Sequence, residues 1–251
     1  MLTLLIVLGS IALVLALIYF IEPFIYALLF SWFISLFVRN PPFIDDIAAE
    51  FPGRQLLKDN WQAIRKELDS ELAEVESIPK FHEVDKLQAV ISDQDKVAWR
   101  TFIIKGFGKF VDANCAKAPV TAGLIRQLPQ VSTAMFSIID AGKHIPPHYG
   151  FFKSVLRYHL ALVIPSGEVY IEVGGQKYAW KEGEDVLFDD TYRHEVWNKT
   201  SGRRVVLFLD IMREKGFPGP FKAVNRWMFG MLTGSPKLRE AARRAEVARN
   251  V

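Results

Sequence analysis

At 251 residues, half of them hydrophobic, the chain can fill one large or two small domains with a substantial core, which excludes a disordered chain. Cys115 is its single cysteine, which excludes an internal disulfide and permits a reducing compartment. The formal charge of +3 is small and unevenly placed, and no nucleic-acid partner is expected from it.

Between residues 1 and 38 the only charged side chain is Glu22. Residues 2–21 form an apolar run long enough to cross a hydrocarbon core of about 30 Å as a helix, so the amino terminus is read as a membrane anchor. Glu22-Pro23 interrupts it, and residues 24–38 add a second apolar run that is short for another span. A single span with an interfacial helix and a tight hairpin both fit. No basic region precedes the first run and no small-residue cleavage signature follows it, which argues against a removed signal peptide. Arg39, Arg54 and Lys58 follow the apolar block, placing the rest of the chain on the cytoplasmic side of an inner membrane.

After Pro41-Pro42, residues Leu57, Trp61, Ile64, Leu68, Leu72 and Val75 recur at helical spacing and predict an amphipathic helix, read as a structural buttress. Residues 99–110 allow a strand pair, and 119–128 form a helix ended by Pro129. From Val131 the period becomes two. Segments 131–139, 156–164, 168–173, 176–181, 186–188, 194–197 and 204–212 are predicted strands, with Gly174-Gly175 as a two-residue hairpin turn. Short strands with Gly and Pro between them make the chain mainly β, a sandwich or jelly roll rather than a parallel sheet. Beyond them Phe221, Val224, Trp227, Met228, Met231 and Leu232 fall on one helical face, facing either a core or a membrane surface. Ser235-Pro236 starts a basic terminal helix. Residues 213–251 hold nine basic side chains against three acidic ones, which suits anionic lipid headgroups. The chain thus divides into an anchor (1–40), a helical buttress region (41–130), a β core (131–212) and a basic amphipathic region (213–251).

The five histidines are His82, His144, His148, His159 and His194. His82 lacks an evident partner and reads as a surface residue. His144 and His148 are four apart, but Ile145-Pro146-Pro147 forbids a helical zinc pair. His148 and His194 stand 46 positions apart in the β-rich stretch, and Arg204 opens the last strand. Two neutral imidazoles with a basic carboxylate clamp suit Fe(II) and 2-oxoglutarate chemistry, where the metal keeps open positions; two satisfied structural histidines are the competing reading. Arg157 and His159 lie two apart on a strand and share a face, where something anionic or polar must meet them. With Arg204 they converge on a small dicarboxylate.

Several ordered blocks carry a resemblance: Asp59-Asn60-Trp61-Gln62-Ala63-Ile64-Arg65, Ala134-Met135-Phe136-Ser137, Leu156-Arg157-Tyr158-His159-Leu160, Phe188-Asp189-Asp190 and His194-Glu195-Val196-Trp197-Asn198. From about residue 51 to 212 the chain resembles the aspartyl/asparaginyl β-hydroxylase family, which includes bacterial lipid A acyl-chain hydroxylases and animal aspartyl β-hydroxylases. The resemblance implies a double-stranded β-helix that uses Fe(II), 2-oxoglutarate and O2. Carried over by position, His148 and His194 are the catalytic iron ligands. Arg204 pairs with the distal carboxylate of 2-oxoglutarate, Ser137 adds a hydroxyl there, and Arg157 with His159 lines the cosubstrate pocket.

Gly150 departs from the pattern. Most such oxygenases carry an acid two residues after the first histidine, as the lipid A hydroxylases do, whereas the animal enzymes lack it and use water. A working two-histidine site, a site with a halide in place of the carboxylate, and an inactive relative all remain open, and Asp189 or Asp190 could supply a carboxylate or serve as a turn acid. The leading expectation is a membrane-anchored hydroxylase of a lipid acyl chain, lipid A-like, at the cytoplasmic membrane face. Hydroxylation of aspartyl or asparaginyl residues or of an amino acid, and a non-catalytic membrane-associated binding protein, are the alternatives.

Overall fold

The computed structural model describes residues 24–214 and 219–234, together with Gly9, Ser10, Glu240, Arg244 and Ala245. Apart from Gly9 and Ser10, the apolar run 2–21 lies outside the described residues, as does the Ser235-Pro236 start of the terminal helix. Among the described residues no helix is long and apolar enough to cross a membrane. The second apolar run forms a helix, α1 (Phe24–Ser35), of 12 residues. At 1.5 Å per residue it extends about 18 Å, against about 30 Å of hydrocarbon. Over the described residues this helix is shorter than a membrane span.

The helical region that follows is broken at Asn60, whose Nδ2 donates to the Leu56 carbonyl at 2.8 Å. One expected helix is thus two, α2 (Arg54–Asp59) and α3 (Trp61–Leu72). Their apolar faces hold Leu57, Ile64 and Leu68, each fully buried. Further on come the helices α4 (Asp112–Lys117) and α5 (Pro119–Arg126), and α6 (Gly219–Gly234) after the last strand.

The strands are β1 (Trp99–Gly106), β2 (Lys109–Phe110), β3 (Val131–Ile139), β4 (His144–His148), β5 (Val155–Val163), β6 (Val169–Val173), β7 (Gln176–Ala179), β8 (Asp185–Phe188), β9 (His194–Asn198) and β10 (Arg204–Met212). They form two antiparallel sheets, β2-β1-β3-β10-β5-β8 and β4-β9-β6-β7, facing each other as a jelly roll. The large sheet therefore begins at Trp99, ahead of the 131–212 stretch. Gly174 and Gly175, at φ 57° and 78°, close the β6–β7 hairpin, a turn that needs positive φ at both central positions.

Alternation along the large sheet assigns its two faces. Leu156, Tyr158, Leu160 and Leu162 of β5 and Val205, Leu207, Leu209 and Ile211 of β10 pack in one cluster with Leu57, Ile64 and Leu68, so α2 and α3 cover that face. The other face, with Met135, Ile139, Ala161, Val206 and Phe208, meets Ile145, Val169, Ile171 and Val196 of the small sheet. Period two then puts Ser137, Arg157, His159 and Arg204 on this inner face.

Candidate functional site

Two polar clusters interrupt the apolar filling between the sheets. At the first, β9 delivers His194 in the same alternation as Val196. Its partner strand β4 places Ile145 opposite Val196 and His148 opposite His194. Three steps on β4 thus match two on β9, and the extra residue lies in Pro146-Pro147. This bulge turns His148 inward, where strict alternation from Ile145 would turn it out. The two imidazoles end with ring centroids 4.0 Å apart.

Each ring is oriented by its own strand. His148 Nδ1 donates to the Pro146 carbonyl at 2.8 Å and His194 Nδ1 to the Tyr192 carbonyl at 3.0 Å, which leaves both Nε2 lone pairs free to bind a metal. Burial holds His148 below its ordinary range. His194, more deeply buried and beside His148, is pushed down to about 3. Both rings are therefore neutral at physiological pH, the ligating form.

Arg204 occupies the other end of the cavity, only 1% exposed. Its guanidinium lies 4.4 Å over the Trp180 ring and makes long contacts of 3.4 Å to the Ser137 carbonyl and hydroxyl. Its Nε has no hydrogen-bond partner, and no carboxylate among the described residues pairs with it. Burial pushes this cation down to about 9. Trp99 Nε1 donates to Ser137 Oγ at 3.0 Å and fixes the hydroxyl. His159, also buried, has neither ring nitrogen hydrogen-bonded; burial and the Arg204 and Arg157 charges hold it well below its ordinary range. A buried unpaired cation beside a hydroxyl calls for an anion.

Arg157 lines the same cavity but is already neutralised. Its Nη2 lies 3.0 Å from both Asp190 Oδ2 and Asp210 Oδ1. Of the two arginines expected to converge on a dicarboxylate, Arg204 alone is left without a counter-ion among the described residues.

The Gly150 position is filled from the turn between β8 and β9. A Cβ on Gly150 would collide with the Asp190 carboxylate, and Gly150 N–H donates to the Asp190 carbonyl at 2.7 Å. Asp190 is 2% exposed, its Oδ1 has no hydrogen-bond partner, and burial raises its carboxyl to about 6. Asp189 has a structural task, with Lys153 at 2.5 Å, Arg213 at 2.9 Å and the Thr191 hydroxyl at 2.6 Å. Among the described residues no group of three His, Cys, Asp or Glu stands ready to cage a metal, so the donor set is the histidine pair with Asp190 behind it.

Two other histidines stand apart. His144 stacks on Trp197 at 3.5 Å and meets Glu195 at 2.8 Å, away from the pair. The expectation that His82 is a partnerless surface residue is corrected: its Nδ1 is 2.9 Å from Ser92 Oγ, and the ring is partly buried. Trp99 and Trp180 were not singled out in the sequence. Trp99 carried no signal beyond its place at a strand start, and Trp180 sits beyond the end of β7.

The arrangement fits a divalent iron at the two neutral imidazoles and a dicarboxylate reaching toward Arg204. Comparisons with known proteins find hydroxylases among the chain's relatives. The profile of the aspartyl/asparaginyl beta-hydroxylase family matches residues 58–214. An ornithine lipid ester-linked acyl 2-hydroxylase of Rhizobium tropici is 36% identical over 203 residues, 80% of this chain and 70% of that one. The human aspartyl/asparaginyl beta-hydroxylase is 30% identical over 165 residues, 62% of this chain and only 20% of the human protein. Solved structures align over less of the chain. They include a Cupin_2 domain from Enterobacter cloacae (16% identity, TM-score 0.28, 33% of this chain and 82% of that one) and a DMSP lyase from Ruegeria pomeroyi (15% identity, TM-score 0.32, 47% of each).

Proposed function

The chain belongs to the aspartyl/asparaginyl β-hydroxylase family, and from that premise we propose that it is a membrane-associated hydroxylase, dependent on Fe(II) and 2-oxoglutarate, acting on the acyl chain of a membrane lipid at the cytoplasmic face. The observation that carries the cosubstrate is Arg204, a buried guanidinium with no counter-ion. His148 and His194 would hold the iron through Nε2. Arg204 and Ser137 would bind the distal carboxylate of 2-oxoglutarate, offsetting the cost of burying the cation. Bound iron, with 2-oxoglutarate and O2, supplies the oxidation that inserts oxygen into a carbon–hydrogen bond and releases succinate and CO2. The chain's residues position and exclude water: Ile145, Ile171, Val196 and Phe208 wall the cavity with apolar surface.

The lipid target is supported by the ornithine-lipid relative and by the apolar surface of α1 and α6, on which Trp32 and Trp227 are 66% and 63% exposed. An ornithine lipid is the first substrate to test and a lipid A-like acyl chain the second. A peptide aspartyl or asparaginyl target is the second reading, favoured by Gly150 in place of the acid.

The test is succinate formation by the full chain with Fe(II), 2-oxoglutarate and each candidate substrate. Arg204→Met should lower turnover about 100-fold, the scale of two charge-assisted hydrogen bonds. Succinate no higher than in a His148→Ala His194→Ala control ends the oxygenase reading. Succinate stimulated by peptide and not by lipid ends the lipid reading alone.

A further inference from the structure

A second cavity, of about 510 Å³, lies beside the site and is not used by the chemistry above. One wall is α1, with Leu28 and Trp32; the other comes from segments 150–153 and 191–192, with Phe151 and Tyr192; Arg39 also lines it. Its volume falls within the roughly 300–1,000 Å³ usual for small-molecule sites.

Its location follows from the two metal-side strands. Gly150 lies two residues beyond His148, and Tyr192 two before His194, so both histidine-bearing segments run on into the cavity wall. On the other side of Gly150 stands the Asp190 carboxylate. The groove wall is thus continuous along the chain with both histidine-bearing segments. The α1 wall is held in place: Lys153 N donates to the buried Ser31 Oγ at 2.7 Å. Ile34 and Val38 pack against Phe221 of α6, whose ring meets Phe33 edge-on at 5.8 Å.

Two features identify the occupant. The groove wall passes through Trp32 into an exposed apolar face of Leu29, Leu36 and Phe37, each 55–59% exposed, which suits contact with lipid rather than water. Lys153 in the groove is committed to Asp189, but Arg39 is exposed and has no acidic partner among the described residues. A trough whose lining mixes Leu28, Trp32, Val38 and Phe151 with Ser31, Ser35 and Thr191, that runs into an exposed apolar surface, carries one unpaired guanidinium and shares its wall segments with the histidine pair fits a single anionic amphiphile. Resting on the lipid reading above, we propose that this groove holds the acyl chain of one membrane lipid, with α1 as its wall and Arg39 at the lipid's anionic group.

Two measurements on the full chain test this. In the metal-free protein, a monomeric anionic lipid carrying a doxyl group on its acyl chain should quench tryptophan fluorescence. Trp32→Phe should remove most of that quenching, and Arg39→Glu should weaken binding about tenfold. The same label on a free fatty acid should bind more weakly than on the lipid. In turnover, Leu28→Trp, which narrows the trough, should cut the ratio of long-chain to short-chain lipid hydroxylation about tenfold, with the fold checked by circular dichroism. Quenching that survives Trp32→Phe and falls with Trp227→Phe overturns the groove and leaves only a membrane-contact surface. Free fatty acid binding as tightly as the lipid, or an unchanged chain-length ratio in Leu28→Trp, also overturns it. Succinate formation without any lipid stimulation in the parent chain would refute the lipid reading and this proposal together, whereas lipid turnover with an unaltered chain-length ratio refutes the groove alone.

Discussion

At Gly150 the absence of a side chain has a physical cause, because the Asp190 carboxylate already occupies the space a Cβ would need. Gly150→Ala must therefore move a buried carboxylate that also pairs with Arg157 at 3.0 Å. The expected cost is about 1–3 kcal/mol, the range for overpacking a close-packed interior. In an Asp190→Ala background the same substitution should cost much less, because the colliding group is gone, and urea unfolding of the four proteins measures the coupling. Equal costs in both backgrounds would show that something other than Asp190 reserves the space. The sequence made Gly150 visible as a missing acid but could not show what stands there, since the filling group comes from the turn before β9. Arg157 and Arg204 posed the same problem. They look alike in the sequence, and only the neighbouring Asp190 and Asp210 reveal that one is paired and the other unpaired.

At the level of elements, period two made β3, β5 and β10 legible to within a residue or two, and with them the shared face of Arg157 and His159, whereas Ser137 was reached only through the family resemblance. The strand β4 was not legible, because two adjacent prolines argue against a ladder. It exists because it is the edge of the small sheet, where a missing N–H faces no partner strand. Asn60 similarly divides a continuous helical pattern by capping Leu56 with its own side chain. The Pro146-Pro147 bulge lets His148, three steps from Ile145, face His194. Deleting Pro147 brings that imidazole two steps from Ile145, so regular alternation keeps it on the inner face without a bulge. The deletion variant is expected to fold, since the change falls at an exposed position on an edge strand. Its affinity for Mn(II), a stand-in for iron that does not turn over, should stay within about tenfold of the parent, whereas His148→Ala loses about 100-fold. A loss as large as that of His148→Ala would mean that the bulge itself, and not the face, aims the ligand.

Across the whole molecule the candidate site is built from both sheets: His148 and His194 stand on the small one, Ser137 and Arg204 on the large one. The two sheets otherwise meet mostly through apolar side chains, with Tyr178 Oη donating to the Asp185 carbonyl at 3.4 Å and Asn198 Nδ2 to the Ile139 carbonyl at 3.5 Å across them. A metal and a dicarboxylate bound together would add polar links at the centre of layers joined there by hydrophobic packing. Binding to the folded state alone contributes about 2.7 kcal/mol at a ligand concentration 100 times Kd, which for a chain of this size raises Tm by roughly 5–10 °C. Mn(II) with 2-oxoglutarate should produce that rise, and hydrogen exchange should slow in β4 and β9 as well as in β3 and β10. Arg204→Met is expected to lose the contribution of 2-oxoglutarate and keep that of Mn(II), while His148→Ala loses both, because the dicarboxylate would need the metal at its other end. Removing a buried unpaired cation should also leave ligand-free Arg204→Met at least as stable as the parent. Protection confined to one sheet would show that the ligands do not join the two layers.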